Sequence, residues 1–543
     1  MSAPDHEAVR RAVLSVMLPG FSGVGVVPPW LAEVVADGLA GVVLFGHNTP
    51  DLAETARLTS ALHHIRGNCL VAIDEEGGDV SRLEARLGSS LPGAWAIGLA
   101  GSQEAGYQAG RSLGRLLRGV GIDLDFAPVL DVASNPWNPV IGPRSFGSTP
   151  EAVVSAGGAF TRGLRDGGVA TCGKHFPGHG DTTTDSHLGL PRLDVNAKLL
   201  EQRDVAPFMA LADELDCVMM AHLLVPAIGP APTSLEPAAY ALARDCGLNG
   251  PLVTDALDMA AISNGRDIGE VAVTAIEAGA DLLCLGTTIG RDDHRLFMTA
   301  HDALSTAVRQ GRISLERLGS SRSRINVLRE NLAARRATLT PVGVVTAQAE
   351  LARVGQQVCH RAMAAWLGPN LPAAEARAAL NAAGVDRAGY PRLIDLRTVV
   401  DHAAGSVSPA MIRAVRRVWR DTPVIRDEEV DAPGSLLLAI TRQPFPGTIE
   451  LDRLITLCRV RPDVVVLHTG RPDAFPFDAL PDGGPTVIMA CGTGRVNAAC
   501  AMAALGTLLE VVSRTPTPIA PHWMDLRHMS GRDCPAFTPN EVA

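Results

Sequence analysis

The 543-residue chain lacks most of the features that point to nucleic acid or a membrane as a partner. Acidic residues outnumber basic ones by 58 to 48, so the formal net charge is −10 and the pI is near 5.8. A chain of this charge is not expected to bind DNA, RNA or an anionic lipid surface. No apolar run approaches the roughly 20 residues of a transmembrane helix, and residues 1–21 do not have the basic and apolar regions of a signal peptide. We therefore expect a cytoplasmic protein.

The chain also lacks closely spaced cysteines and is nearly without lysine. Its 10 cysteines are scattered and none forms a C-x-x-C pair, so we expect buried thiols in a reducing compartment rather than disulfides. Of the 48 basic residues, all but Lys174 and Lys198 are arginine. An ammonium group is a compact point charge and a guanidinium is not, so Lys174 either meets a need for such a donor or is there by chance.

Residues 1–335 alternate short apolar runs with longer amphipathic stretches, such as 102–120 and 150–167. Near-continuous apolar runs are typical of parallel strands that are covered on both faces. These runs are 41–45, 70–74, 121–132, 168–176, 215–222, 250–256 and 280–286, with a possible eighth at 12–20. The pattern predicts an α/β fold in which residues 1–340 form a (β/α)8 TIM-like barrel.

A second domain is predicted for residues 341–543, after a helical stretch at 315–336 and a boundary at 338–345. Apolar runs at 393–396, 434–440, 462–468 and 485–490 alternate with helical segments, which indicates a smaller doubly wound α/β sandwich. The sequence GTGR at 492–495 follows one of these runs. It fits a phosphate-binding turn, but an ordinary strand-to-helix turn is favoured, because a lone Gly-x-Gly is weak evidence.

Titratable side chains stand at the carboxyl ends of the predicted barrel strands. In a parallel barrel these ends converge on the face where active sites are built. The residues concerned are Asp74, Glu75, Asp131, Lys174, His175, His222 and Asp255. This shared position predicts one polar site at the mouth of the barrel.

The segment KHFPGHGDTTTDSHLGLP, residues 174–191, crowds three histidines onto a stretch that glycine and proline interrupt. In an extended loop, side chains two residues apart point the same way. Asp185 could therefore orient His187 and make it a general acid/base, although an incidental surface contact is the alternative. A metal site is a further alternative, and its ligands would be His175, His179, Asp181 and His187. However, the glycines and proline between them favour an irregular loop over the regular spacing of helical metal ligands.

Four more strand-end or rim residues are candidates for a site. Asp255 follows an apolar run and is suited either to attack an electrophilic carbon or to cap a helix. Asp74, Arg82 and Arg144 could surround a polyhydroxylated ligand with hydrogen-bonding groups. Salt bridges that brace the barrel rim are the alternative for each arginine.

Five motifs, in this order along the chain, resemble glycoside hydrolase family 3, and within it the bacterial β-N-acetylglucosaminidases of the NagZ type. They are DEEGGDVSRL, NPVIGPRSFG, KHFPGHGDTTTDSH, MMAHLLVP and VTDALDM. The resemblance covers most of residues 1–335 and reaches the second domain only in pattern.

The resemblance implies a role for each matching residue. Asp255 matches the nucleophile, and His187 with Asp185 matches the acid/base dyad. The residues that match the binding site for the non-reducing N-acetylglucosamine are Asp74, Arg82, Arg144, Lys174 and His175. No cofactor or metal is implied.

The implied activity is that of a retaining exo-β-N-acetylglucosaminidase that acts on cell-wall muropeptides during peptidoglycan recycling. The expected partner is a carbohydrate that contains N-acetylglucosamine, and the chain is expected to be a monomer or homodimer. The alternatives are a phosphorylase that uses phosphate in the second step, a metal-dependent barrel hydrolase and a non-catalytic sugar-binding protein.

One residue departs from the family pattern. Asp79 stands where many relatives have arginine, so the electrostatics of the rim are expected to differ. Because single-domain relatives lack the second domain, we expect it to be structural or regulatory.

Overall fold

The computed structural model describes residues 5–186, 188–263, 265–286, 292–367, 391–398, 409–430, 435–481 and 484–509. The first region holds eight short parallel strands. They are β1 (Met17–Leu18), β2 (Gly41–Leu44), β3 (Leu70–Ile73), β4 (Leu124–Asp125), β5 (Ala170–Phe176), β6 (Cys217–Met220), β7 (Leu252–Thr254) and β8 (Leu283–Cys284).

Helices alternate with these strands along the chain. They are α1 (His6–Leu14), α2 (Pro29–Ala36), α3 (Leu52–Ile65), α4 (Ala94–Leu99), α5 (Gln103–Gly119), α6 (Pro150–Gly167), α7 (Ala197–Leu199), α8 (Ala206–Ala210), α9 (Pro237–Asp245), α10 (Ala260–Ser263), α11 (Ile268–Ala278), α12 (Asp293–Arg309) and α13 (Leu315–Ala337). A π-helical segment, Leu200–Val205, joins α7 to α8.

The eight strands follow one another around a barrel. β2 to β7 form one parallel sheet in chain order, and β1 pairs with β8 in parallel. Backbone hydrogen bonds join these two groups on both sides: Val43 N to Pro19 O at 2.9 Å, and Thr254 N to Leu282 O at 3.0 Å. The predicted parallel strands and alternating helices of this region are confirmed.

Alternation of side chains along the strands separates the barrel interior from the layer beneath the helices. In β6, Cys217 and Met219 belong to the cluster inside the barrel, whereas Val218 and Met220 belong to the cluster that the helices cover. This follows from the two-residue period of a strand, which sends successive side chains to opposite faces. Both faces are buried, which explains why the strands are apolar throughout.

Local signals set the helix ends that position the loops. α6 begins at Pro150, and the Thr149 hydroxyl accepts a hydrogen bond from Ala152 N at 3.3 Å. It ends at Gly167, and the next residue, Gly168, has a φ of 99°, a left-handed conformation that glycine adopts without strain. Proline at the first turn and glycine after the last turn are typical of helix boundaries.

The second region is built on a five-stranded parallel sheet with the order β10-β9-β11-β12-β13. The long helix α14 (Val344–Leu367) leads into it. Its elements are β9 (Arg392–Asp395), α15 (Ala410–Val418), β10 (Val424–Ile425), β11 (Leu437–Thr441), α16 (Ile449–Val460), β12 (Val465–His468), β13 (Thr486–Met489) and α17 (Arg495–Leu509). The two faces of the sheet pack into separate clusters, one with α14, α15 and α17 and the other with α16.

The nine cysteines within the described ranges are all free thiols, and all but Cys246 are buried. In the same part of the chain, every helix is too short or too polar to cross a bilayer.

Candidate active site

A polar cavity opens at the carboxyl ends of the barrel strands. Its lining includes Asp74 after β3, Arg144 from the β4–α6 connection, Lys174 and His175 from the end of β5, and Asp255 after β7. The empty space within it, including the part open to solvent, is about 430 Å³. Its place at the carboxyl ends of the strands is where the active sites of such barrels occur.

Lys174 lies at the centre of a buried charge network in this cavity. Its ammonium is 2.7 Å from Asp74 Oδ1 and 2.6 Å from Glu76 Oε1. Arg144 donates to both Glu76 oxygens, at 2.9 and 2.8 Å, and Arg82 is 3.5 Å from Asp74 Oδ2. The Lys174 side chain is 2% exposed. An ammonium so deeply buried would be costly without the two carboxylates, which fix it in place.

The network keeps these groups ionised. Burial opposes the charge on Asp74, but Lys174 and Arg82 outweigh it and lower the pKa of that carboxyl. Burial also opposes the charge on Glu76, and Arg144 and Lys174 together hold its pKa far below the usual range. The pKa of Lys174 is raised, because Asp74 and Glu76 outweigh its burial. The site therefore presents charged donors and acceptors at neutral pH.

Two carboxyl groups beneath the network carry protons more readily. Burial raises the pKa of Glu75 to about 7, and burial raises the pKa of Asp125 well above its usual value. Glu75 accepts backbone hydrogen bonds from Arg82 at 2.8 Å and Leu83 at 2.9 Å, and its own N–H donates to Asp125 Oδ1 at 2.9 Å. These groups shape the loop after β3 rather than face the cavity.

Asp131, which follows β4, orients two histidines. It is 2.6 Å from His175 Nδ1, and its other oxygen accepts the backbone N–H of His179 at 2.7 Å. Burial lowers the pKa of His179 to about 4 despite the nearby Asp131, so this imidazole is neutral at pH 7. His179 Nε2 has no hydrogen-bond partner among the described residues, and the side chain lines the cavity.

The segment that follows β5 is braced by neighbouring loops. Asn138 donates to His179 O at 2.8 Å and to Thr182 Oγ1 at 3.2 Å. Arg203, in the π-helical segment, donates to Asp181 Oδ2 at 2.8 Å. His179 and Asp181 are thus engaged in holding the loop.

The predicted acid/base pair is described in part. Asp185 is buried, with 8% exposure, and its carbonyl accepts from Leu188 N and Gly189 N at 3.0 and 3.1 Å. His187 lies outside the described residues.

Asp255 is half-buried at the mouth of the barrel. Its N–H donates to Met220 O at 3.0 Å, and its Oδ1 accepts from Ala256 N at 2.7 Å. His222 is 2.9 Å from Ala256 O through Nε2, so the strand-end histidine steadies the backbone beside Asp255. The next helix, α10, begins five residues on at Ala260, so Asp255 does not cap it.

The structure brings six of the eight predicted site residues to one cavity: Asp74, Arg82, Arg144, Lys174, His175 and Asp255. Sequence reasoning gave no role to Glu76 or Asn138, and it placed His222 at the barrel mouth without a specific role. Glu76 holds Lys174 and Arg144, and His222 contacts the backbone beside Asp255, whereas Asn138 braces the segment after β5. Glu76 could have been found from the run Asp74–Glu76 at a strand end, but three adjacent carboxylates do not show which one faces a partner.

Comparisons with known proteins give a consistent result. The model of the glycosyl hydrolase family 3 N terminal domain matches residues 30–328, more than half of the chain. A beta-hexosaminidase A of Pseudoalteromonas piscicida is 34% identical over 332 residues, which cover 56% of this chain and 56% of that protein. A beta-hexosaminidase of Methylococcus capsulatus is 38% identical over 255 residues, which cover 46% of this chain and 75% of that protein.

A solved structure extends the similarity to both regions. A glycoside hydrolase family 3 beta-N-acetylglucosaminidase from Paenibacillus sp. str. FPU-7 is 29% identical, with a TM-score of 0.74. The match covers 92% of this chain and 96% of that one.

Proposed function

The chain belongs to glycosyl hydrolase family 3, a family of glycoside hydrolases, and from this premise we propose that it is a retaining exo-β-N-acetylglucosaminidase. The proposed reaction removes a terminal N-acetylglucosamine from the non-reducing end of a glycan. One observation carries the proposal: Asp255 and the charge network around Lys174 line the same cavity.

The cavity suits a sugar because its walls offer ionised donors and acceptors from several directions. Hydroxyl groups both donate and accept hydrogen bonds, and charged partners make the stronger ones. Asp74 is the acceptor, and Arg82, Arg144, Lys174 and His175 are the proposed donors. All five are fixed by one another or by Glu76 and Asp131, so little ordering is left for the substrate to bring about.

In the proposed mechanism, Asp255 attacks the anomeric carbon. A carboxylate oxygen of Asp255 forms a bond to that carbon as the glycosidic bond breaks, and His187 gives its proton to the departing oxygen. In the second step water attacks the same carbon, His187 takes the proton from the water, and the bond to Asp255 breaks. Two inversions at one carbon retain the configuration.

Asp185 is proposed to act through His187. A carboxylate that accepts the hydrogen bond of one ring nitrogen fixes the tautomer and raises the basicity of the other. A histidine in this role is neutral when deprotonated, so it would repel an anionic aglycone less than a second carboxylate would.

Cell-wall muropeptides are the proposed natural substrate. The relatives are named beta-hexosaminidases, and a histidine acid/base suits the carboxylates that the aglycone of a muropeptide carries. A role in peptidoglycan recycling and a cytoplasmic location stay predictions.

Hydrolysis of 4-nitrophenyl N-acetyl-β-D-glucosaminide tests the activity and the nucleophile. Asp255→Asn keeps the shape of the side chain and removes its charge, so we expect kcat to fall by at least about 1,000-fold. The matched control is Asp427→Asn, a surface exchange in the second region, which should leave the rate unchanged. Turnover by Asp255→Asn near the unsubstituted rate would refute the assignment.

Leaving groups of different acidity test the proton donor. His187→Ala should slow a natural disaccharide far more than the nitrophenyl glycoside, because nitrophenolate leaves without a proton. Equal losses on both substrates would contradict the acid role. The same reactions with added phosphate test for a phosphorylase: N-acetylglucosamine 1-phosphate among the products would overturn hydrolysis as the second step.

A further inference from the structure

Asp79 in the loop after β3 is held by the second region of the chain. Its Oδ2 accepts from Arg442 Nη1 at 2.7 Å, and its Oδ1 accepts from both the backbone N–H and the hydroxyl of Thr493 at 2.7 Å. The side chains of Asp79 and Arg442 are 2% and 6% exposed. A carboxylate of the barrel is thus buried against residues that lie more than 360 positions away in the sequence.

The turn GTGR (492–495) receives this carboxylate. It connects β13 to α17, and the N–H of Thr493, just ahead of the helix, donates to Asp79. Free N–H groups and the helix dipole favour an anion at such a place. The Asp79 carboxylate occupies this position, which makes the turn an internal docking point for the barrel.

Asp79 lies in the same tight turn as Glu76. Glu76 N donates to Val80 O at 3.0 Å, and Val80 N donates to Gly77 O at 3.2 Å. Gly77 and Gly78 have φ values of 82° and 57°, which allow the chain to reverse there. Because residues 76–80 form one closed turn, the position of Asp79 fixes the position of Glu76.

Glu76 in turn organises the sugar-binding side chains. Its carboxylate pairs with Lys174 at 2.6 Å and Arg144 at 2.8 Å, and all three line the cavity. A shift of the 76–80 turn would therefore move the partner that holds both cations.

A second contact supports the same loop a few residues further on. Arg495 pairs with Glu84, and Val496 N donates to Ser89 O at 3.3 Å. Glu84 also accepts from Ser90 N at 2.6 Å. The loop after β3 therefore contacts residues 493–496 at Asp79, Glu84 and Ser89.

We propose that the second region sets the affinity of the active site for its sugar through Asp79, which acts as a positioning residue for Glu76, Lys174 and Arg144. The inference rests on the proposed function, because it concerns the binding of the same sugar. The second region then contributes to substrate binding through the loop that it seats rather than through a side chain in the cavity.

Asp79→Asn tests the proposal, since it removes the charge and keeps the size of the side chain. The hydrogen bonds to the sugar are made in the ground state and in the transition state alike. We therefore expect KM for the nitrophenyl glycoside to rise about tenfold, with kcat changed less than about threefold. Thr493→Val removes one of the three donors, and we expect a smaller rise of about threefold. It is the milder variant should Asp79→Asn fold poorly.

Asp463→Asn is the matched control. Asp463 pairs with Arg461 inside the second region at 2.8 Å, and its side chain is 6% exposed. The chemical exchange and the burial are alike, but the pair does not contact the barrel in any hydrogen bond of the described residues. We expect KM to stay within twofold of the unsubstituted value.

The outcomes separate the two proposals. An unsubstituted enzyme that does not hydrolyse the glycoside would refute the proposed function and this inference with it. An active enzyme whose KM is unchanged by Asp79→Asn would refute the positioning role alone. A lower kcat at constant KM would also refute the positioning role. Partial unfolding gives this result, because it reduces the amount of active enzyme without changing how the active enzyme binds the sugar.

Discussion

At the scale of single residues, the site is a balance of buried charges. Lys174, Arg144 and Arg82 face Asp74 and Glu76, and each group stabilises the ionised form of its partner. Removal of one partner would leave a buried charge uncompensated, which is far more costly than the net value of the pair. The ammonium of Lys174 lies between two carboxylates, 2.7 Å from Asp74 and 2.6 Å from Glu76, a position that suits a compact point charge.

Glu75 makes the stability of the protein depend on pH. Its carboxyl ordinarily has a pKa of 4.5, and burial raises the pKa to about 7. Between these values the folded protein keeps a proton that the unfolded chain has lost, so this group makes the free energy of unfolding fall as pH rises from 4.5 to 7.

Glu75→Gln removes that contribution while its amide oxygen can still accept from Arg82 N and Leu83 N. We expect the free energy of unfolding of the unsubstituted protein to fall relative to that of the variant as pH rises from 4.5 to 7, by about 1.4 kcal/mol for each unit by which the pKa is raised. Denaturant midpoints at several pH values measure it. The surface exchange Glu428→Gln is the control, and a difference that does not vary with pH would contradict the prediction.

Residue roles could be predicted where position and residue type agree. Asp74, Lys174 and Asp255 stand directly at strand ends, and the geometry of a parallel barrel brings such residues together. Glu76 and Asp79 could not be assigned in this way, because their partners are set by tertiary contacts with Lys174 and Thr493. The part of His187 stays a prediction.

At the scale of elements, α5 and α6 are packed backbone to backbone. A Cβ on Gly110 would lie 2.1 Å from Phe160 O, and one on Gly163 would lie 2.2 Å from Tyr107 O. Glycines at 106, 110 and 114 recur every four residues, so they line one face of α5. The pattern explains why these helices tolerate residues of poor helix propensity: the glycines permit a close approach that any side chain would prevent.

Gly163→Ala should therefore destabilise the protein, although alanine is the better helix former. Overpacking against backbone costs about 1–3 kcal/mol. The matched exchange is Gly319→Ala in α13, where a Cβ would meet nothing within 4 Å; it should stabilise by up to about 1 kcal/mol. A lower thermal unfolding midpoint for Gly163→Ala and a higher one for Gly319→Ala would support the close packing of α5 and α6. A stabilising Gly163→Ala would contradict it.

The elements could be predicted best where they are long or apolar. The runs at 41–45 and 70–74 became β2 and β3 almost residue for residue, because both faces of these strands are buried. β10 (Val424–Ile425) was missed, because it has two residues and Val424 is 42% exposed. Its place at the edge of the sheet is set by pairing with β9 rather than by its own sequence.

At the scale of the whole molecule, α14 joins the two hydrophobic cores. Ala347, Leu351 and Val354 are buried in the core around the barrel, whereas Cys359 and Met363 on the same helix are buried in the core of the second region. A predicted boundary at 340 and 341 therefore precedes a helix that serves both cores. Such continuity cannot be seen in composition, since apolar and polar residues alternate along the whole helix and do not mark where one core ends and the other begins.

A second set of contacts, around Arg471, ties the two regions together. Arg471 donates to Ala133 O at 2.9 Å and Asn135 O at 3.1 Å, and its guanidinium lies 4.3 Å from the ring centre of Trp95. A buried arginine that satisfies backbone carbonyls of the opposite region is costly to separate from them. The regions are thus expected to lose their structure together.

We expect a single unfolding transition, because α14 cannot leave one core without disturbing the other. Calorimetry should give equal calorimetric and van't Hoff enthalpies. Val354 is 3% exposed. Val354→Ala should lower the free energy of unfolding of the whole protein by about 2 kcal/mol, because apolar contacts are lost and a cavity is left. Val345→Ala on the same helix, at a site 71% exposed, should change it little. Two separate unfolding transitions would show instead that the regions unfold independently. If Val354→Ala then shifted only one of the two transitions, α14 would belong to the region that unfolds in that transition.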